Sequence, residues 1–110
     1  MTASMETVDP GEFVVQRTDS GSEVLLELAG ELDLAGIDLL EQAATNLPPS
    51  AHVTVDLSHL QFMDSSGIRA LMNLDLRSRH EEWTLTLRAP QSQVLHVLRL
   101  CGFENRFEIT

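Results

Sequence analysis

VDLSHLQFMDSSGIRALMNL, residues 55–74, is the most informative stretch of the chain. Its front end belongs to VTVDL at 53–57, a short run with β-branched residues that reads as a buried strand. Residues 58–64 follow as a loop, and Asp64-Ser65-Ser66-Gly67 feeds directly into a helix that begins near Ser65 or Ser66. Ile68, Leu71, Met72 and Leu76 recur at helical spacing and form its apolar face. Arg77, Arg79 and His80 fall in the last turn, where cations complement the partial negative charge of a helix C-terminus.

Toward the N-terminus, Phe13-Val14-Val15 opens a strand, TDSGS at 18–22 is dense in turn formers, and VLLEL at 24–28 is a second strand. Residues 13–29 therefore read as a hairpin, ended by Gly30. Asp33 can cap a helix with Leu34, Ile37, Leu40, Ala44 and Leu47 on its apolar side, and Pro48-Pro49 stops it. Beyond the central stretch, WTLTLR at 83–88 alternates as a strand with Trp83, Leu85 and Leu87 on one face. Pro90 is placed to open a third helix with Val94, Val97, Leu98 and Cys101 inward and Gly102 as its C-cap. Phe107-Glu108-Ile109 is a last short strand. The order ββαβαβαβ predicts an α/β fold: a mixed, mostly parallel sheet with an edge hairpin and helices packed on it. Residues 1–11 are expected to form a flexible leader and 12–110 the domain.

At 110 residues and 43% hydrophobic, the chain has one modest core, enough for two layers. Seven basic residues face 17 acidic ones, a net charge of -10. Clustered cations for phosphate backbones or anionic lipid are missing, so neither nucleic acid nor membrane is expected as a partner. A partner should present a neutral or basic face. All seven cations are arginine, which excludes a P-loop lysine and Schiff-base chemistry. The lone Cys101 cannot form an internal disulfide, and the N-terminus has early acids and no apolar core of a signal peptide. No apolar run approaches the roughly 18 residues of a membrane span. A cytoplasmic domain is expected.

The 64–67 segment is where chemistry can sit. Unpaired N–H groups at a helix start accommodate an anion, and a hydroxyl held there is exposed and can carry a phosphate. The plainer alternative is that Ser65 or Ser66 only caps the helix. Phe62 and Met63 are equally at home in a core, Asp33 can be only a cap, and Gly67 either spares the serine from crowding or is merely tolerated. Asp56, at a strand end, is expected to order the following loop. His52, His59, His80 and His96 are scattered without ligand spacing, so no metal is expected. Asp-Ser-Ser-Gly is not the Gly-x-Ser-x-Gly of a serine hydrolase, and a lysine-free chain lacks what receiver domains need, so no catalytic residue is assigned.

Three segments in order carry a family resemblance: GELD at 30–33, VDLS at 55–58 leading through Phe62-Met63 to DSSG at 64–67, and Ala89-Pro90 opening a helix that ends at Cys101-Gly102-Phe103. Across 13–109 the chain resembles the bacterial anti-sigma factor antagonists, single STAS domains. The resemblance implies the STAS fold and a regulator that is not an enzyme, with Ser65 as phosphoacceptor. It further implies partner switching. The unphosphorylated protein binds an anti-sigma factor that is also a serine kinase and so releases a sigma factor, phosphorylation breaks that complex, and a serine phosphatase resets it. The ATP site belongs to the kinase, so the chain needs no cofactor. The partner surface is expected around Ser65 on the loop and first turn, at Phe62, Met63, Asp64, Ser66, Gly67 and Arg69, and the resemblance implies that the Glu31, Leu32 and Asp33 turn sits close and joins it. The alternative is a non-switching STAS scaffold or ligand-binding module, in a stress-signalling assembly or beside a transporter, in which Ser65 only caps. Many STAS domains carry a further helix after the last strand, whereas this sequence stops at Ile109-Thr110. Surface left uncovered there favours self-association, so a weak homodimer is a further expectation.

Overall fold

A computed structural model of the chain describes residues 8–9 and 11–110; the expected leader falls largely on residues 1–7 and 10, outside the described residues. Strands β1 (Phe13–Ser20) and β2 (Glu23–Leu32) form the antiparallel hairpin, with Phe13 opposite Gly30 and Ser20 opposite Glu23. β3 (His52–Met63) lies parallel to β2, β4 (Thr84–Arg88) parallel to β3, and β5 (Glu108–Ile109) parallel to β4. Spatial order equals chain order, β1-β2-β3-β4-β5. The crossovers are α1 (Ile37–Ala43), entered through a single 3₁₀ turn at Leu34–Gly36, α2 (Ser65–Glu81) and α3 (Ser92–Leu100). This is the predicted ββαβαβαβ order and the predicted mostly parallel sheet with an edge hairpin.

Register explains the core. Val24 pairs with Val53 and Leu26 with Val55, which in turn pairs with Leu87, so one face of the sheet carries a continuous apolar band. These residues are buried in one cluster with Leu40 of α1, Leu71 and Leu74 of α2, and Val94 and Leu98 of α3. Single burials of this size each stabilise by about 1.5–3 kcal/mol, so the band outweighs any local propensity along the chain.

Several sequence expectations are corrected. β2 does not end at Gly30 but runs to Leu32. Gly30 has φ +89, and a Cβ there would stand 2.0 Å from the Glu12 carbonyl oxygen, so it marks a close backbone approach and not a terminus. Residues 58–63 are not a loop but the second half of β3, pairing Glu31 with Phe62 and Leu32 with Met63. Register irregularities between Glu27 and Ala29 and between Gly30 and Glu31 break the period-two pattern that would have revealed this half. α1 ends at Ala43, ahead of Pro48-Pro49. The carbonyls at its end and just beyond are taken by arginines: Arg17 donates to those of Ala43, Thr45 and Asn46, and Arg77 to that of Ala44.

On α2 the buried stripe contains Leu74, Asp75 and Ser78, while Leu76, expected inward, is exposed. Asp75 lies 3.1 Å from Arg79 and 3.4 Å from Arg106, which ties the helix to the segment before β5. α3 starts at Ser92 with Gln91 as N-cap, two residues later than Pro90 suggested. Gly102, at φ +73, donates to the Arg99 carbonyl, and Phe103 N–H donates to that of Leu98, the two bonds of a Schellman stop. Cys101, expected inward, is the C-cap and is exposed, and half-buried Phe103 packs on the core beyond it. Trp83 is buried just before β4.

Candidate functional site

The site lies where β2 and β3 end side by side and α2 begins. Leu32 and Met63 are paired across the strands, and Asp64 N–H reaches back toward the Leu32 carbonyl at 3.4 Å. Two segments about thirty residues apart in the chain, GELD and MDSSG, are thereby brought together. Asp33 caps the 3₁₀ turn by accepting from Ala35 N–H at 3.0 Å. Glu31 is half-buried, and its carboxylate accepts from Gly11 N–H.

Asp64 is the N-cap of α2. With extended backbone, its Oδ1 accepts from Ser66 N–H at 2.9 Å and Gly67 N–H at 3.2 Å. The plainer alternative, in which Ser65 or Ser66 caps this helix, is thereby corrected: the cap is Asp64. Ser65 is the first helical residue, is exposed, and its hydroxyl makes no hydrogen bond among the described residues.

Gly67 explains why the helix can start so close to the strands. A Cβ there would lie 2.4 Å from Met63 Cγ, 2.9 Å from the Leu32 carbonyl oxygen and 3.1 Å from Leu32 Cγ. The glycine is thus required by what lies beneath it and not by the neighbouring serine. Leu32 and Met63, at 0% and 1% exposure, are the floor of the site and cannot face a partner in this conformation. Phe62, 37% exposed, and the exposed Arg69 do reach the surface; Asp64 and Ser66 are half-buried beside them, and Gly67 is buried.

The structure adds what the sequence hid. Leu34, expected inside, is 76% exposed. With Ile37 from α1 and Ser66, Arg69, Ala70 and Asn73 from α2 it lines a cleft of about 210 Å³ along the first turns of α2. The signal available was its position directly after the cap Asp33, where a tight turn shifts the helical phase. A larger open groove of about 830 Å³ continues between α1 and α2, sharing Asn73 and ending near His80 and Glu81.

Asp56 holds the backbone after it as expected, but it stands inside β3 and not at a strand end, and what it holds is strand and not loop. Its Oδ1 accepts from Ser58 N–H at 2.9 Å and its Oδ2 from Arg88 Nη2 at 2.6 Å, while Gln91 donates to the Ser58 carbonyl. Burial favours the neutral acid, but the Arg88 and Ser58 hydrogen bonds outweigh it and hold the carboxyl below its ordinary value. Among the described residues there is no group of three or more His, Cys, Asp or Glu able to hold a metal, and no helix long and apolar enough to cross a membrane.

No curated protein sequence matches the chain. Among solved structures it is similar to an anti-sigma factor antagonist from Mycobacterium paratuberculosis, at 22% identity and TM-score 0.73 over 92% of this chain and 87% of that one. It is similar to the Bacillus cell fate determinant SpoIIAA in its phosphorylated form, at 19% identity and TM-score 0.62 over 88% and 91%. It also matches part of the murine Slc26a9 anion transporter, at 22% identity and TM-score 0.71, covering 84% of this chain and 16% of that one. These likenesses speak for the fold. The sequence pattern of the family described as "Mlab, STAS domain" matches residues 15–109, nearly the whole chain, and the chain therefore belongs to the STAS domain family.

Proposed function

We propose that this domain is an anti-sigma factor antagonist switched by phosphorylation of Ser65. Unphosphorylated, it binds an anti-sigma factor that is also a serine kinase and so frees a sigma factor. Phosphorylation by that kinase breaks the complex, and a serine phosphatase restores it, all in the cytoplasm. The domain itself acts by binding, without a catalytic residue or cofactor. The observation that carries this reading is the capping of α2 by Asp64, which leaves the Ser65 hydroxyl exposed and free of structural duty. A relative of the same fold that exists in a phosphorylated form supports it.

In the phosphoryl transfer, Ser65 Oγ bonds to the γ-phosphorus of ATP as the bond to ADP breaks. The hydroxyl proton goes to a base on the kinase, since no imidazole or carboxylate hydrogen-bonds Ser65 among the described residues. The product carries about -1.5 to -2 additional charges on a chain already at -10. A partner packed over Ser65 would have to desolvate that group, and unpaired interface charges cost about 2–5 kcal/mol, roughly 30-fold or more in affinity. Ser65→Ala should bind the kinase persistently and Ser65→Asp weakly; equal affinities would sink the switch. Intact-mass and phosphopeptide mapping after incubation with ATP and candidate anti-sigma kinases should find one phosphate on Ser65. A phosphate on Ser66 would move the site by one residue.

The second reading is a non-switching STAS module associated with a transporter, favoured by the likeness to a segment of Slc26a9. Folded protein that no candidate kinase phosphorylates would support it.

A further inference from the structure

Six of the seven arginines hold a carboxylate: Arg17 with Asp19, Arg77 with Glu81, Arg79 and Arg106 with Asp75, Arg88 with Asp56, and Arg99 with Glu104. Arg69 alone makes no ion pair or hydrogen bond among the described residues, and it is exposed. In a chain with 17 acids for 7 cations, an uncommitted guanidinium is the unusual state. It stands four residues after Ser65 on the same helix, so the two side chains are neighbours on one exposed stripe. Beside it lies the cleft against Leu34 and Ile37, apolar on the α1 side and with no cation but Arg69.

We propose that Arg69 is the charge contact of the switch. With Ser65 unmodified, Arg69 holds a carboxylate of the partner protein, whose adjoining apolar side chain fills the cleft against Leu34 and Ile37. With Ser65 phosphorylated, Arg69 folds back onto the phosphate of its own helix. The inference rests on Ser65 as phosphoacceptor and names the chemistry of the partner segment: an acidic residue next to an apolar one. Charge complementarity selects this occupant, because every other arginine already has its acid within the chain. The competition favours the phosphate. Both anions offer a guanidinium two parallel hydrogen bonds, but the phosphate carries up to twice the charge of a carboxylate and is tethered about one helical turn away. The partner's carboxylate is then left in the interface without its cation, which adds a lost attraction to the steric and electrostatic block at Ser65.

The intramolecular half is tested without any kinase, on full-length chain carrying phosphoserine at 65 introduced during translation. In a ³¹P NMR titration the second ionisation of the phosphate should occur at lower pH in the parent than in Arg69→Gln, with Arg69→Lys restoring much of the difference. Coincident midpoints for parent and Arg69→Gln overturn the capture. The intermolecular half uses unmodified chain and the anti-sigma kinase that binds it. Arg69→Glu should weaken binding about 30-fold or more, and a Glu→Arg or Asp→Arg reversal on the kinase should recover a large part. If Ser65→Asp weakens binding while Arg69→Glu does not, the inference about Arg69 falls and the phosphoswitch stands. If the unmodified chain binds no kinase, the antagonist reading falls and takes the partner half of the inference with it. Loss of self-association in Arg69→Glu without any effect on kinase binding would identify a second copy as the occupant and overturn the assignment. Arg69 is exposed, so unchanged thermal melting of each variant separates these outcomes from misfolding.

Discussion

Replacing Gly67 by alanine separates two opposed expectations by sign. At an ordinary exposed helical position, glycine to alanine stabilises by about 0.8–1 kcal/mol through backbone propensity. At Gly67 the new methyl would meet Met63 Cγ at 2.4 Å and the Leu32 carbonyl oxygen at 2.9 Å. Neither contact is the free end of a flexible chain: one is backbone, and the other is close to the backbone of a residue 1% exposed. Overpacking of this kind costs about 1–3 kcal/mol, and contact with a fixed carbonyl places it in the upper half of that range. After subtracting the propensity gain, a net loss of about 1–2 kcal/mol remains. For a domain of this size that lowers Tm by about 4–8 °C. The assay is thermal and urea unfolding of parent and Gly67→Ala, with Gly67→Ala measured again in a Met63→Ala background. The penalty should shrink there, because one of the two obstacles is gone while the Leu32 carbonyl remains. A Tm equal to or above the parent's would refute the close approach of α2 to the strand ends, and with it the account of how Ser65 is positioned.

Asp64→Ala should cost about 1 kcal/mol through loss of the cap, while Ser65→Ala should stay within about 0.5 kcal/mol; the reverse order in urea midpoints would return the cap to a serine. Gly30→Ala should destabilise by more than the few tenths typical of strand surface changes, because a methyl would sit 2.0 Å from the Glu12 carbonyl and at φ +89; an unchanged urea midpoint would count against that approach. Asp56, with its folded-state carboxyl held low by Arg88 and Ser58 against burial, contributes stability that is complete above the unfolded value near pH 4 and is lost as pH falls through the folded value. Asp56→Asn should therefore flatten the decline of stability with pH below about pH 4, and an unaltered slope would show that the pair carries no such linkage.

Much of the fold was legible because burial followed period: Trp83, Leu85 and Leu87 alternate, Ile68 and Leu71 repeat along α2, and Val94 and Leu98 along α3. The second half of β3 was not legible, because SHLQFM owes its strand state to pairing with residues 29–32 across an irregular register, and no local pattern encodes that partner. Leu34 and Leu76 look like core residues by type, and only the 3₁₀ entry and the true phase of α2 turn them outward. At the site, the presence of a cap at the start of α2 was legible, but its owner was not, since aspartate and serine are near-equal caps and adjacent in the chain. Likewise the resemblance marked the neighbourhood of Leu32 and Met63 without separating its floor from its surface; burial makes that separation.

That separation bears on how the proposed switch operates. Beneath Ser65, the Leu32 carbonyl, Met63 and Gly67 are packed to the limit of contact, and Asp64 fixes the first turn with two hydrogen bonds. Packed floors of this kind resist continuous deformation, so a phosphate on Ser65 has no easy route to move the backbone below it. The freedom lies above, in Ser65, Arg69, Phe62 and Leu34, which are all exposed. A charge added there acts on whatever docks, and the fold stays as it is. Phosphorylation should therefore shift backbone amide resonances around residues 31–34 and 62–70 while leaving β1, β4 and α3 unmoved. Widespread shifts in those distant elements would mean that the signal travels through the fold, and the local block at Ser65 would have to be abandoned.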